Sequence, residues 1–149
     1  MSISQKCQYA VRSVFELAKR INQGPVAIGD IAAKQAIPPR FLEVILNELK
    51  QGGFVESRRG AQGGYRLSGS PKELSVGQII RFVDGPFDPV RCISDSDVPP
   101  CSLKQQCALA NLWRRAKQAL EGVYDTTTFH ELVQQEEAME RSGVTDFCI

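Results

Sequence analysis

The sequence predicts a mainly α-helical fold with a small β-wing, in which a winged helix-turn-helix domain is followed by a long dimerisation helix. Two observations support this prediction. Three segments of helical periodicity precede two short strand-like runs joined by a glycine-rich turn, an order typical of a winged helix-turn-helix. A longer helical segment with an apolar stripe follows, and a chain of 149 residues is long enough to bury one core.

The three helices of the winged domain are bounded by glycine and proline. Helical periodicity runs over residues 4–22 and stops at the Gly-Pro pair at 24–25. A shorter helix is predicted over 27–35. The third helix opens at the Pro-Pro pair at 38–39, because proline is tolerated in the first turn of a helix, and it ends at the Gly-Gly pair at 52–53.

The third helix has an inner and an outer face. The inner face is predicted to consist of Phe41, Leu42, Ile45, Leu46 and Leu49. The outer face carries Arg40, Glu43, Asn47 and Lys50. In a helix-turn-helix the second of the two helices enters the major groove of DNA, so we expect this third helix to be the recognition helix.

The wing is predicted from two strand-like runs, over 54–58 and 65–67, which flank a turn with three glycines. Glycine adopts positive φ without steric cost and lets a loop approach another molecule closely. Arg58 and Arg59 stand at the root of this turn, where a wing would enter the minor groove. The narrow minor groove concentrates negative potential and attracts arginine.

Behind the wing, a short helix is predicted over 74–83, an irregular segment over 87–102 and a long helix over 105–124. The apolar stripe of the long helix consists of Leu109, Leu112, Trp113, Ala116, Leu120 and Val123. Because this stripe lies outside the winged domain, we expect it to pack against its copy in a second subunit. The alternative is that the stripe folds back onto its own domain.

The chain is therefore predicted to have four parts. These are a winged helix-turn-helix DNA-binding domain (1–70), a linker helix with a cysteine loop that binds a cluster (71–103), a dimerisation helix with a C-terminal helix (104–141) and a flexible tail (142–149). In the third part, Thr128 is predicted to cap a helix that begins at Phe129, with Glu131 completing a capping box.

Charge is distributed unevenly along the chain. The net charge is only +1, but residues 1–70 hold ten Lys and Arg against five Asp and Glu, whereas residues 71–149 hold eight against twelve. A basic front and an acidic rear are typical of a module that meets phosphate with one face. No stretch approaches the roughly 20 apolar residues that span a bilayer, and there is no apolar signal core, so we expect a cytoplasmic protein.

Candidate contacts to double-stranded DNA follow from the predicted recognition helix and wing. Arg40 is suited to guanine, Glu43 to the amino group of cytosine, and the ring of Phe41 to a thymine methyl group. In the wing, Arg59 and Gly60 are the candidates. Phosphate contacts, which position a protein without reading sequence, are expected from Lys6, Arg12 and Lys50.

Three cysteines, Cys92, Cys101 and Cys107, lie within 16 residues of a proline-broken loop. Eight residues separate the first two and five separate the last two. Thiolates bind zinc, copper(I) or iron–sulfur clusters, so a metal or cluster site is the favoured interpretation. Redox switching between thiol and disulfide and simple core packing are the alternatives.

The sequence resembles the IscR/NsrR-type family of bacterial winged-helix iron–sulfur transcription regulators over nearly its whole length, and IscR most closely. The resemblance rests on Tyr9-Ala10-Val11, Leu42-Glu43, Arg59-Gly60, Gly63-Gly64-Tyr65, Val83-Asp84, Leu112-Trp113 and the three loop cysteines. It implies a homodimer with one iron–sulfur cluster per subunit, for which we favour 2Fe–2S over 4Fe–4S. It also implies that DNA binding changes with the state of the cluster.

The fourth cluster ligand departs from the family pattern. IscR-like proteins use a histidine where this chain has Ala110, and NsrR-like proteins use an acidic residue where it has Gln8. The remaining candidates are Cys7 or Gln8 of a partner subunit, Cys148, or an exogenous thiol or water. Cys7 also lies four residues before Val11 on an apolar stripe, a spacing that favours burial, and we expect His130 to be a capping or surface residue.

These features predict a dimeric repressor that binds a palindromic operator and senses iron–sulfur status or oxidative or nitrosative stress through its three loop cysteines. A thiol-disulfide or zinc-dependent regulator without a cluster is the alternative. The chain offers one histidine and no evident base beside a nucleophilic cysteine, so we expect no enzymatic activity.

Overall fold

The computed structural model describes residues 2–94, 101–103 and 106–143. Within them it contains six α-helices and one two-stranded antiparallel sheet. In chain order these are α1 (Gln5–Lys19), α2 (Ile28–Gln35), α3 (Pro39–Gln51), β1 (Val55–Arg58), β2 (Gly64–Leu67), α4 (Val76–Asp84), α5 (Ala108–Thr126) and α6 (Phe129–Ser142). A single 3₁₀ turn, Arg91–Ile93, lies between α4 and α5. The predicted fold class, a mainly helical winged helix-turn-helix, is confirmed.

Capping residues fix where the later helices begin. The helix predicted over 74–83 begins at Val76, because the Ser75 side chain accepts a hydrogen bond from the Gln78 N–H and the Gln78 side chain accepts one from the Ser75 N–H. The capping box predicted for the last helix is confirmed. The Thr128 hydroxyl accepts from the Glu131 N–H at 3.2 Å, and the Glu131 carboxylate accepts from the Thr128 N–H at 3.0 Å.

One hydrophobic core joins the winged domain to the C-terminal helices. Leu17 of α1 and Leu46 and Leu49 of α3 are almost completely buried, and Phe129 of α6 lies in the same cluster with no exposed surface. Helix α6 packs along α1, where Lys19 and Glu136 form an ion pair. Residues 128–142 are therefore packed onto the winged domain, while the predicted boundaries between the parts stay predictions.

The position of Phe41 on α3 corrects the sequence analysis. Leu42, Ile45, Leu46 and Leu49 face the core as predicted, but the Phe41 side chain is 62% exposed. Each helical residue advances by about 100°, so Phe41 lies roughly 100° from the centre of the stripe that the leucines and Ile45 define. Its placement on the inner face was wrong because an aromatic next to this stripe was counted as part of it.

The wing is attached to the helix-turn-helix through its second strand. Strands β1 and β2 pair in a register that places Val55 opposite Leu67 and Arg58 opposite Gly64. Tyr65 exchanges two backbone hydrogen bonds with Val26, at 2.7 and 2.8 Å, just before α2. A Cβ on Gly64 would lie 2.3 Å from the Val26 carbonyl oxygen, so only glycine permits this close approach.

Candidate DNA-binding face and cysteine segment

The amino-terminal half of α3 presents its predicted DNA contacts to solvent. Helix α3 begins at Pro39, and the flanking residue Pro38 makes no side-chain cap. The side chains of Arg40, Phe41 and Glu43 are all exposed. These three side chains therefore lie on one accessible helix end, which suits contacts to bases and phosphates.

The wing turn is shaped by its glycines. Gly60 has a φ of +114°, and a Cβ on Gly63 would lie 2.2 Å from the Arg58 carbonyl oxygen. Arg58 and Arg59 are exposed, and neither side chain makes a hydrogen bond or ion pair in the part of the chain that the structure describes. Arg40 is equally unpartnered there. These three guanidinium groups are therefore available to an anionic partner without first breaking a protein contact.

The three residues predicted to contact phosphate differ from these arginines, because each has a partner within the protein. Lys6 forms a 2.7 Å ion pair with Glu48, and Lys50 donates a 2.6 Å hydrogen bond to the Ser57 hydroxyl. Arg12 donates to the Gln35 carbonyl at the end of α2. Each of these cations already has a protein partner, so the structure does not set them apart as contacts.

One exposed residue of α3 was missed in the sequence analysis. The Val44 side chain is 56% exposed and lies three residues, almost one turn, after Phe41. An apolar side chain alone suggests burial, but helical periodicity places Val44 about 160° from the centre of the buried stripe. Projecting the sequence onto a helix would have found it.

The three loop cysteines are all free thiols, and they lie along the segment that leads into α5. Cys92 is exposed in the 3₁₀ turn, Cys101 is half-buried, and Cys107 is the half-buried residue that precedes the first turn of α5. Residues 95–100 and 104–105 lie outside the described residues.

The chemistry of these thiols fits an iron–sulfur cluster, because thiolate sulfur is the usual ligand of such groups. The positions of the described side chains do not themselves form such a site. Among residues 2–94, 101–103 and 106–143, no three His, Cys, Asp or Glu side chains come together as a group that could hold a metal ion. The assignment of a cluster site to Cys92, Cys101 and Cys107 stays a prediction.

A partly buried ion pair ties the 3₁₀ turn to α5. The Asp88 carboxylate lies 2.9 Å from the Lys117 ammonium, with only 11% and 16% of the two side chains exposed. Burial acts to raise the pKa of Asp88, but hydrogen bonds from Ser94 and Lys117 and the Lys117 charge outweigh it and hold the pKa below its ordinary value. Ser94 follows Cys92 by two residues, so this network connects the cysteine turn to the helix.

Aromatic packing strengthens the same connection. Phe87 is buried and stacks on Tyr124 of α5 with ring centroids 5.1 Å apart. The Arg81 guanidinium lies 4.7 Å from the centre of the Phe87 ring and pairs with both oxygens of Asp125 at 2.5 and 2.7 Å. The chain that leads into the cysteine turn is thus fixed against α5 at several points.

The candidate fourth ligands are placed very differently. Cys7 is fully buried in the core, as its position on the apolar stripe predicts, and burial, together with the nearby Asp84, raises the pKa of its thiol to about 12. Gln8 is exposed and donates its side-chain amide to the Ile3 carbonyl at 3.1 Å. Ala110 is buried, and Cys148 lies outside the described residues.

Helix α5 leaves part of its apolar stripe open. Leu109, Leu112 and Val123 are between 49% and 61% exposed. Exposed apolar side chains along one face of a helix are typical of a protein interface. None of the helices in the described residues is long and apolar enough to cross a membrane.

The fold and this face define a winged-helix, DNA-binding transcription regulator. Comparison with known proteins identifies the family: residues 3–135 match Rrf2, a family described as iron-dependent transcriptional regulators, and the chain belongs to it. It is accordingly a transcriptional regulator of that family and not an enzyme.

The similar proteins include regulators named CymR and regulators named IscR. The chain is 35% identical to the CymR regulator of Bacillus subtilis over 89% of both chains, and 33% identical to the IscR regulator of Klebsiella pneumoniae over 96% of this chain and 86% of that one. The solved structure of B. subtilis CymR, described as the global cysteine regulator, matches with a TM-score of 0.75 at 33% identity over 91% of this chain and 98% of that one. The structure of IscR from T. potens matches with a TM-score of 0.73 at 30% identity over 91% of this chain and 88% of that one.

Proposed function

We propose that this chain is a homodimeric repressor whose affinity for a palindromic operator is set by an iron–sulfur cluster, a 2Fe–2S cluster in preference to 4Fe–4S, held by Cys92, Cys101 and Cys107. The observation that carries the proposal is the position of the three free thiols, which flank the entry to α5, a helix with an open apolar stripe. The description of the family as iron-dependent and the similarity to IscR support it.

DNA recognition is assigned to the amino-terminal end of α3 and to the wing. Arg40, Phe41 and Glu43 read base edges in the major groove, while Arg59 and Gly60 enter the adjacent minor groove. The exposure of all five and the absence of competing partners for the two arginines among the described residues support this assignment. Two copies related by a two-fold axis would read the two halves of a palindrome.

Control of DNA binding is assigned to the connection between the cysteine segment and α5. The cluster, when bound, supplies a redox-sensitive group that reacts to oxidants and to iron supply. Its thiolate ligands would draw the segment into one conformation, and the contacts of Asp88 and Phe87 with α5 would pass that constraint to the dimer interface. A coupling of about 1–3 kcal/mol is enough for regulation of this kind.

The Cys101→Ala variant tests the proposal. Purified without oxygen, it should lose the visible absorbance and bound iron of the wild type while staying folded, and its operator affinity should equal that of the cluster-free wild type. Cys7→Ala is the matched control, because Cys7 lies in the core and its loss should leave the iron content unchanged. Unchanged iron in Cys101→Ala would remove this residue from the site.

A thiol-disulfide regulator without a cluster is the second candidate. It is favoured by the exposure of Cys92 and by the similarity to the cysteine regulator CymR. In that case an added oxidant should remove two hydrogen atoms (two protons and two electrons) per disulfide from the intact mass and change operator affinity in protein that contains no iron. A zinc-bound form of the same site would instead retain zinc and show no visible absorbance.

A further inference from the structure

Two large apolar side chains stand in solvent on the outer face of α3. Phe41 is 62% exposed and Val44 is 56% exposed. The fold does not need them, since Leu42, Ile45, Leu46 and Leu49 already fill the inner face and are almost completely buried. Exposed positions of a helix are ordinarily polar, so an apolar pair here indicates a surface that binds another molecule.

The two side chains form one continuous surface. Residues three apart on a helix lie about 5–6 Å apart between Cβ atoms and point in directions about 60° apart. Arg40 precedes the pair, and Glu43 lies between its members in sequence. The apolar surface therefore sits on the same exposed helix end as the proposed base contacts.

We propose that Phe41 and Val44 together read the C5-methyl groups of two neighbouring thymines in the major groove, with Val44 as a specificity-determining residue. This inference rests on the proposed DNA-binding function. The thymine methyl is the apolar group that base pairs present in the major groove, and successive base pairs are about 3.4 Å apart along the helix axis. The Cβ atoms of Phe41 and Val44, about 5–6 Å apart, are separated by more than one such step, so the two side chains can contact two successive base pairs.

The charges around the pair favour DNA over an apolar protein partner. Arg40 on the same helix end and Arg58 and Arg59 in the wing make no hydrogen bond or ion pair with the described residues. Burying three unpaired cations against an apolar protein surface would be costly, whereas phosphates on both sides of a groove would neutralise them. A second copy of this chain, bound through α3, is the competing outcome.

The test uses the full-length protein and an operator selected from random duplexes. Each thymine of the selected site is replaced in turn by deoxyuridine, which keeps every hydrogen-bonding group and removes only the methyl. The wild type should lose about fourfold in affinity for each methyl that is read, the value expected for one buried methyl group. Val44→Ala should bind the thymine site more weakly and lose the penalty at one position, and Phe41→Ala should lose it at the neighbouring position.

Met139→Ala is the matched control, because Met139 is 55% exposed on α6 and away from α3 in sequence. It should keep the full wild-type pattern of deoxyuridine penalties. Identical penalties in wild type and Val44→Ala would overturn the inference while leaving operator binding intact, as would a change of oligomeric state in Val44→Ala without a change of penalty. Failure to select any operator would instead overturn the proposed function, and this inference with it.

Discussion

For single residues, the proposed DNA-binding face depends on side chains that have no partner among the described residues. Arg59 stands in a turn whose glycines bring the backbone close to whatever the wing meets, and it has no hydrogen bond or ion pair among the described residues. Lys6, by contrast, is paired with Glu48. The difference predicts which cations are available to bind DNA.

Arg59→Ala should weaken operator binding by about 1–3 kcal/mol and leave the iron content and the dimer unchanged. The loss comes from the minor groove, where arginine meets concentrated negative potential. Fluorescence anisotropy with the selected operator measures it, and Lys72→Ala serves as the control because Lys72 lies outside both α3 and the wing. Equal affinities of Arg59→Ala and wild type would remove the wing from the recognition mechanism.

Cys7 differs from the loop cysteines in its burial, because it lies in the core with no exposed surface. Cys7→Ser should lower the free energy of unfolding by about 1–3 kcal/mol, because a hydroxyl would replace a small apolar group at a fully buried position. Urea unfolding measures the loss, and an iron assay on the same sample should show the wild-type content. A variant of unchanged stability that had lost its iron would instead make Cys7 a ligand.

At the scale of elements, much of the fold follows from local sequence. The proline at the start of α3, the Thr128 capping box and the glycines of the wing each specify their element within a few residues. The contacts that connect elements could not be predicted in this way. Asp88 and Lys117 are far apart in sequence, and no periodicity links them, so their ion pair follows only from the packing of the segment after α4 on α5.

Asp88→Asn tests that connection through its dependence on pH. The pair is partly buried, so its loss should cost about 1–3 kcal/mol of unfolding free energy at neutral pH, between the values for surface and fully buried pairs. The pKa of Asp88 is lower in the folded protein than its ordinary value of 3.8. Its contribution is therefore present above about pH 4 and is lost as pH falls further.

The stability difference between wild type and Asp88→Asn should accordingly be constant from about pH 7 to 5 and shrink below about pH 4. Denaturant unfolding at a series of pH values measures it, and Asp30→Asn is the control that should show little difference, because Asp30 is exposed on α2. A difference that grew on acidification would contradict the account of this pair.

At the scale of the whole molecule, the account requires two copies of the chain. Leu109, Leu112 and Val123 belong to an apolar stripe on α5 that the other described residues leave exposed. The sequence predicts this stripe from its periodicity, but whether it is buried within the chain depends on the packing of α4 and α6, which periodicity does not reveal. The arrangement of the three cysteines in space is likewise beyond local prediction, since their spacing in sequence does not fix the distances between their side chains.

Leu112→Glu should convert the dimer to a monomer, because it places a charge in the stripe without disturbing a buried side chain of its own subunit. Sedimentation velocity measures the change, and Met139→Glu, on the exposed face of α6, should stay dimeric. Operator affinity should fall together with dimerisation, since one recognition helix reads only half of a palindrome. A dimeric Leu112→Glu protein would place the interface elsewhere.

Whether the three loop cysteines hold an iron–sulfur cluster is measured by iron and acid-labile sulfide assays and an absorbance spectrum on protein purified without oxygen. We expect a coloured protein with about two iron and two sulfide per chain, both lost in Cys101→Ala. A colourless protein that took up no iron or sulfide on reconstitution would contradict this expectation and assign the sensing to thiol chemistry or zinc.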